Sequence, residues 1–238
     1  MESMEVLRGL LMRSSIPLRD AIAVTLVVAA SSVSATSCLN SNGQEVGTVI
    51  HNQLGRDLHI SISGDVSLYE VLPAGSDPHC LPGMPETSQS IFLGLSCNAN
   101  TASVGSKRDS DTLVEVTYGL PGSENTAEGA HLTFYDVDLE KGFSVPVWCT
   151  GPDPSDSRDT QVGCKTDILQ GGHCPPDLIR YEGDSIVQCF NPQTMDVITQ
   201  WRLLCPDSYI MAGDDWCSHG LGSFKHVLEC YVGGTYPS

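Results

Sequence analysis

Basic residues are scarce in this sequence of 238 residues, which has 12 Lys and Arg against 29 Asp and Glu. The formal net charge of -17 at pH 7 disfavours binding to phosphate backbones and to anionic membrane surfaces. We therefore expect no nucleic-acid partner and favour a neutral or cationic ligand. The 40% of hydrophobic residues can fill the core of one large domain or two small ones.

Long hydrophobic runs are also missing. The mainly apolar stretch AIAVTLVVAA at residues 21–30 is about half of what a helix needs to cross a bilayer. Arg8, Arg13 and Arg19 precede it, and the small-residue stretch SSVSA follows it and ends at Ala35. This order predicts a signal peptide with an N-terminal extension over residues 1–35, and a protein that is secreted, either extracellular or in a cell wall. We expect no membrane contact after cleavage.

Closely spaced cysteine pairs are absent as well. The ten cysteines lie at positions 38, 80, 97, 149, 164, 174, 189, 205, 217 and 230, and the nearest two are ten positions apart. Structural zinc sites usually use close Cys or His pairs, so we expect no metal, and no motif indicates a cofactor. An even number of cysteines in an exported chain predicts disulfide bonds instead.

Short alternating runs separated by turn residues dominate the first half of the chain. An example is GTVIHNQLGRDLHISISGDVSLYEVLPAG at residues 47–75, which indicates several β-strands. From Gly151 onward the sequence is richer in proline and cysteine, which predicts loops held by disulfides and one short helix around residues 194–204. The chain is therefore predicted to be mainly β.

Two of these predicted strands carry acidic residues. In TFYDVDLEKGFSVPV, a period of two places Tyr135 and Val137 on one face and Asp136 and Asp138 on the other. In TLVEVTYGL, Glu115 lies between Val114 and Val116, so a strand would place the two valines on one face and Glu115 on the other. If the two strands pair, Glu115 and Asp136 share a polar sheet face, where two carboxyl groups could work together.

These motifs, followed by the cysteines and by CPDSYIMAGDD, closely resemble the thaumatin-like (osmotin-like) proteins, in a form with fewer cysteines. The resemblance covers residues 46–231 and is strongest from Leu113 onward. It implies a flattened antiparallel β-sandwich for residues 36–238, with a core at 46–150 plus the C-terminal strand and disulfide-rich loops at 151–218. Some members of this family bind β-1,3-glucans, some hydrolyse them weakly, and a few inhibit other enzymes.

The resemblance also implies an acidic cleft, in which Glu115, Asp136 and Asp214 match family acids and Asp215 lies beside the last. We assign the ligand-binding cleft to Glu115, Asp136, Lys141, Asp214 and Asp215, with Glu115 and Asp136 as the catalytic pair if the protein hydrolyses its ligand. A solvated salt-bridge cluster of Glu115, Asp136 and Lys141 is the structural alternative.

Two cleft positions depart from the family pattern, because Lys141 replaces an aspartate and Gly94 replaces an arginine. An ammonium close to Glu115 would lower the pKa of that carboxyl and oppose its use as a general acid. Binding is therefore favoured over turnover.

Disulfide pairs follow from the resemblance too. It implies the bonds Cys149–Cys217, Cys164–Cys205 and Cys174–Cys189. The family's N-terminal cysteine is absent near Leu54, so Cys38 would replace it as the partner of Cys230, and Cys80 would pair with Cys97.

The favoured function is that of a secreted, monomeric and antifungal-type protein that binds cell-wall polysaccharide, with β-1,3-glucan as its partner, in defence or wall remodelling. A weak endo-β-1,3-glucanase and a secreted inhibitor or interaction protein without sugar binding are the alternatives. Aromatic residues could stack on sugar rings if they are exposed, although in a β-sandwich such side chains usually belong to the core. The candidates are Trp148, Trp201, Trp216 and Tyr181.

Overall fold

β-Strands dominate the secondary structure, as the alternating runs predict. The structure is a computed structural model and describes residues 37–63, 68–95, 111–120, 132–152, 161–221 and 226–234. The predicted signal peptide lies outside these residues. In chain order the strands are β1 (Val46–Asn52), β2 (Leu58–Ser63), β3 (Leu68–Leu72), β4 (His79–Pro82), β5 (Ser88–Gly94), β6 (Thr112–Thr117), β7 (Phe134–Asp138), β8 (Gly142–Phe143), β9 (Val147–Thr150), β10 (Val162–Cys164), β11 (Ile179–Glu182), β12 (Ser185–Phe190), β13 (His219–Gly220) and β14 (His226–Val232).

The helix predicted around residues 194–204 is α1, which spans Met195–Leu204. Val197, Ile198 and Trp201 are its buried residues, and their spacing places them on one face of the helix. Two short 3-10 helices lie at Pro176–Leu178 and Asp215–Cys217. No helix in the described ranges is long and apolar enough to cross a membrane.

Six strands form an antiparallel sheet in the order β13-β7-β6-β5-β2-β3. Side chains alternate between its two faces, so that Val114 and Val116 on β6 and Val137 on β7 are buried. Glu115 on β6 is exposed and Asp136 on β7 is only partly buried. The predicted alternation of these two acidic strands is confirmed.

A second sheet of five strands has the order β10-β9-β14-β1-β4. Its centre departs from the predicted antiparallel arrangement, because β1 and β14 pair in parallel from Val46 opposite His226 to Asn52 opposite Val232. Parallel neighbours need a long connection between them. The chain meets that requirement because these two strands lie near opposite ends of the described sequence.

One apolar core lies between the two sheets. Val114 on β6 and Val137 on β7 belong to the same buried cluster as Ile50 on β1 and Leu228 on β14. Buried polar groups also connect the layers, since the hydroxyls of Thr48 and Tyr118 lie 2.8 Å apart. The predicted mainly β fold, with antiparallel sheets and several disulfides, is confirmed.

A small sheet in the order β11-β12-β8 is joined to one end of the six-stranded sheet. Ser144, directly after β8, provides the connection. Its hydroxyl donates to the Leu93 carbonyl at 2.5 Å and accepts from the Thr112 amide at 2.9 Å. The hairpin of β11 and β12 is thereby placed beside the ends of β5 and β6.

Four disulfide bonds are present among the described residues. Cys164–Cys205 and Cys174–Cys189 form as the resemblance implies. The pairings Cys149–Cys217 and Cys38–Cys230 are wrong, since the observed bonds are Cys149–Cys230 and Cys38–Cys80.

Strand register explains the first correction, because Cys149 on β9 lies directly opposite Cys230 on β14. Cys38 packs with Val49, Val227 and Cys80 at the outer side of β1, which explains the second. The predicted Cys80–Cys97 bond is excluded by the Cys38–Cys80 bond, and Cys97 itself lies outside the described residues. Cys217 is a buried free thiol.

All described residues belong to one compact unit that spans Thr36–Ser238. The division into a core at 46–150 and loops at 151–218 stays a prediction. Within the predicted loop range, Val162–Cys164 forms β10 and pairs with β9 in the five-stranded sheet.

Candidate functional site

The outer face of the six-stranded sheet carries the predicted acidic pair. Ser90 on β5, Glu115 on β6 and Asp136 on β7 are successive register partners, so they form one row across the strands. The Ser90 hydroxyl donates to Glu115 Oε1 at 3.4 Å. Directly opposite residues of an antiparallel pair have side chains in mutual reach, so the structure brings Glu115 and Asp136 together.

Asp136 has an incompletely satisfied carboxyl group. The Ser218 hydroxyl donates to its Oδ2 at 2.9 Å, whereas its Oδ1 is buried and makes no hydrogen bond. Burial raises the pKa of Asp136 to about 6, the Ser218 hydrogen bond opposes this rise, and the negative charge of Glu115 adds to it. A protonated fraction of Asp136 is therefore present at mildly acidic pH.

Asp138 is a third acid of the same face, which the sequence assignment of the cleft left out. It lies on β7 opposite Leu113, and its Oδ1 accepts the Glu140 backbone N–H at 2.5 Å. Burial raises the pKa of Asp138 to about 7 against this hydrogen bond, and the charges of Glu115, Asp136 and Glu140 raise it further. The alternation that selected Asp136 also places Asp138 on this face, so the sequence contained the signal.

The segment 205–220 runs along the edge of β7 that faces away from β6, and it forms one side of this face. Tyr209 exchanges backbone hydrogen bonds with β7, donating to the Val137 carbonyl at 2.9 Å and accepting from the Leu139 N–H at 2.7 Å. At the other end of β7, β13 pairs His219 with Tyr135. Residues between these two attachments, among them Ser218, are therefore positioned next to Asp136.

Asp214 lies in this segment but serves a structural role. It is 3% exposed and forms an ion pair with Arg202 of α1. Its second oxygen accepts the N–H groups of Ile210 at 3.1 Å and Met211 at 3.0 Å. The neighbouring Asp215 is exposed and begins the short helix Asp215–Cys217. The oxygens of Asp214 are therefore bonded within the protein, whereas Asp215 is exposed to solvent.

Lys141 forms its ion pair with Glu140, at 2.5 Å. The two acids of this face with shifted pKa values, Asp136 and Asp138, are both shifted upward. A dominant effect of a nearby ammonium would have the opposite sign. The upward direction therefore favours the protonated form of Asp136 and Asp138.

Gly94, at the position where the resemblance implies an arginine, ends β5. A Cβ atom added there would lie 2.9 Å from Oδ1 of Asp111. That distance is shorter than real Cβ contacts. A larger side chain at Gly94 would thus displace Asp111.

The aromatic residues divide into two groups. Trp148 and Trp201 are buried in the protein, whereas Trp216 is 62% and Tyr181 56% exposed. Phe134, which the sequence interpretation did not select, is 49% exposed. Phe134 lies on the same face of β7 as Asp136, and Trp216 lies two residues before Ser218. Two exposed rings are therefore close in sequence to the acidic row.

This surface combines carboxylate oxygens, hydroxyl groups and exposed aromatic rings, which are the groups that bind polar ligands with apolar faces. Burial raises the pKa of Asp136 and of Asp138, and a carboxyl group that titrates near the working pH can act as a general acid or base. In the part of the chain that is described, no group of His, Cys, Asp or Glu residues is arranged to hold a metal ion.

Comparisons with known proteins give little further information. No family model matches the chain, and no curated protein does. The chain is similar to a solved structure of the protein elicitor MoHrip2 from Magnaporthe oryzae, at 10% sequence identity and a TM-score of 0.38, over 79% of this chain and 99% of that chain. This TM-score and this identity are too low to transfer a fold or a function, so the resemblance to the thaumatin-like family stays a prediction.

Proposed function

We propose that this protein is an exported binder of neutral cell-wall polysaccharide, with β-1,3-glucan as its ligand, and that the ligand lies on the outer face of the six-stranded sheet. The observation that supports this most directly is the row Ser90, Glu115 and Asp136 across three adjacent strands. Its oxygens can accept hydrogen bonds from sugar hydroxyl groups.

Exposed rings supply the second element of sugar recognition. Phe134 lies on the same face of β7 as Asp136, because the two are separated by one residue. Trp216 is exposed in the segment that holds Ser218 against Asp136. Aromatic rings pack on the apolar faces of sugars, while carboxylates and hydroxyls orient them.

Charge and disulfides support the choice of ligand and location. A chain with a formal net charge of -17 repels acidic polysaccharides, so a neutral glucan fits better than a uronic-acid polymer. Four disulfide bonds are typical of an exported protein. Defence and wall remodelling are both roles in which an exported glucan binder is useful.

Co-sedimentation with insoluble β-1,3-glucan tests the proposal. We expect the mature protein to sediment with the glucan and the double variant Glu115→Gln, Asp136→Asn to stay in the supernatant. The control variant Glu182→Gln, Asp77→Asn changes the same number of charges at exposed positions outside the row and should sediment like the wild type. Wild-type protein that remains in solution would contradict glucan binding and favour an inhibitor or interaction protein without a sugar ligand.

A weak endo-β-1,3-glucanase is the second candidate, because the pKa of Asp138 is raised to about 7 and that of Asp136 to about 6. Glycoside hydrolysis needs one carboxyl group that is protonated and another that is ionised. Release of reducing ends from laminarin by the wild type, and its loss in Asp136→Asn or Asp138→Asn, is the expected result for this activity. No release by the wild type would eliminate it.

A further inference from the structure

Asp111 marks one end of the proposed sugar-binding face. Gly94 has the same orientation as Ser90 on β5, because they are an even number of residues apart. An added Cβ on Gly94 would lie 2.9 Å from Asp111 Oδ1. The Asp111 carboxyl group therefore lies over the outer face at the end of β5, about 13 Å from the row of Ser90 at the usual rise of a strand.

Gln188 of β12 connects this carboxyl group to a cation. Asp111 and Gln188 are both buried, at 5% and 6% exposure. The Gln188 amide nitrogen donates to Asp111 Oδ1 at 2.5 Å, and the Gln188 amide oxygen accepts from Arg180 Nη1 at 3.1 Å. Since an ionised carboxylate only accepts and a guanidinium only donates, the orientation of this amide is determined chemically.

Arg180 is the exposed end of this chain of hydrogen bonds. It lies on β11 opposite Gln188 and is exposed to solvent. Among the described residues, Lys141 and Arg202 form ion pairs with carboxylates, but Arg180 forms none there. A guanidinium has five N–H donors, so most of those on Arg180 remain available to a ligand.

We infer that Arg180 binds hydroxyl groups of a glucan chain that extends from the acidic row beyond the end of β5, and that Gln188 and Asp111 hold the guanidinium in position for this contact. This inference rests on the proposed function and adds a second contact region to it. The first region accepts hydrogen bonds from the sugar, and the second donates them.

The separation of the two regions gives the inference a specific signature. The end of β5 lies about 13 Å from the row of Glu115 and Asp136, so we expect a hexasaccharide to extend beyond it and a disaccharide to stop short of it. Loss of the Arg180 contact should therefore weaken binding of long oligosaccharides and leave short ones unaffected. A purely structural role of Arg180 would change both affinities together, through the stability of the protein.

The test is calorimetric titration of wild type, Arg180→Gln and a control, Lys165→Gln, with β-1,3-linked glucose disaccharide and hexasaccharide. Lys165 lies beside Trp148 of the five-stranded sheet, so this control removes one charge away from the proposed face. We expect Arg180→Gln to lower hexasaccharide affinity about tenfold, the effect of losing a hydrogen bond to a charged group. Its disaccharide affinity and thermal midpoint should match those of the wild type.

Two results would overturn the assignment of Arg180. One is an unchanged hexasaccharide affinity in Arg180→Gln, and the other is an equal loss for both ligands. A wild type that binds neither oligosaccharide would instead contradict the proposed function itself. Gln188→Met, which keeps Arg180 but removes its amide partner, should reproduce part of the loss for the hexasaccharide only.

Discussion

Glu115 on β6 lies directly opposite Asp136 on β7, and the hydroxyls of Ser90 and Ser218 donate to these two carboxyl groups. Like charges that face each other across two strands destabilise a sheet. The two carboxyl groups are nevertheless adjacent, and the partial burial of Asp136 destabilises its charged form further. Unfavourable local electrostatics of this kind is common at binding and catalytic sites.

Glu115→Gln should make the protein more stable and a poorer glucan binder. Removing one of two opposed charges is expected to raise the free energy of unfolding by up to about 1 kcal/mol at pH 8. Urea unfolding measures the first effect and co-sedimentation with glucan the second. Glu182→Gln, an exposed change of the same type on β11, should alter neither. If both variants stabilise the protein equally, the change in net charge explains the effect and the opposition of Glu115 and Asp136 does not.

Asp138→Asn should flatten the pH dependence of stability. Burial, with the nearby charges, raises the pKa of Asp138 from 3.8 to about 7, so the folded state binds more protons than the unfolded state between these values. The free energy of unfolding therefore falls as pH rises through this window. The variant keeps an oxygen acceptor for the Glu140 N–H and removes the titration.

Thermal or urea unfolding of wild type and Asp138→Asn from pH 4 to pH 8 measures this difference. The variant should be the more stable protein at pH 8, and the two should converge toward pH 4. Asp77→Asn, at an exposed position, is the matched control and should follow the wild type. A variant whose stability runs parallel to the wild type at every pH would contradict the raised pKa of Asp138.

Asp214→Ala should be much more destabilising than Asp215→Ala. Asp214 is buried, pairs with Arg202 and accepts two backbone N–H groups, so its loss leaves several partners unsatisfied. The expected cost is about 3 kcal/mol. Asp215 is exposed, and its removal should change stability by less than about 0.5 kcal/mol. Similar costs for the two variants, measured by urea unfolding, would rule out a structural role specific to Asp214.

Cys149–Cys230 should be the more stabilising of two testable disulfides. It joins residues 81 apart in sequence, whereas Cys174–Cys189 joins residues 15 apart. Chain entropy predicts a loss of about 4.5 kcal/mol for the first bond and about 3 kcal/mol for the second when both cysteines of a pair become Ala. Peptide mapping without reduction should recover Cys149 linked to Cys230. A Cys149–Cys217 peptide would overturn this connectivity.

Cys217 should react slowly with iodoacetamide in the native protein. Its side chain is buried, and burial together with the charges of Asp214 and Asp207 raises the pKa of its thiol to about 12. Little thiolate, the reactive form, is therefore present at pH 8. Labelling followed by mass spectrometry should find Cys217 modified only after unfolding in urea. Rapid labelling in the native state would contradict its burial.

The acidic strands were predictable because the relevant information is local. Within a strand, the period of two determines which residues share a face, and Asp136 and Asp138 therefore had to lie together. The pairing of Glu115 with Asp136 needed one more assumption, that the strands containing them are neighbours. That assumption is reasonable for consecutive strands in a mainly β chain.

The disulfides illustrate the opposite case. The resemblance implied Cys217 as the partner of Cys149, whereas the structure pairs Cys149 with Cys230. Its bond to Cys230 depends on the register of β9 against β14, which is set by packing of the whole five-stranded sheet. Only Cys164–Cys205 and Cys174–Cys189, both in the second half of the chain, form the bonds that the resemblance implies.

By itself, the amino-acid sequence determined the strand-rich character of this protein, its negative charge and the faces on which its acidic strand residues lie, because these depend on composition and on neighbouring residues. The tertiary structure decided which acids remain available to a ligand. Asp214 is occupied by Arg202 and by two backbone N–H groups, whereas Glu115 stays exposed on the outer face of the six-stranded sheet. These outcomes depend on contacts between segments far apart in the chain, and such contacts form only when the sheets, α1 and the disulfide-linked loops pack together.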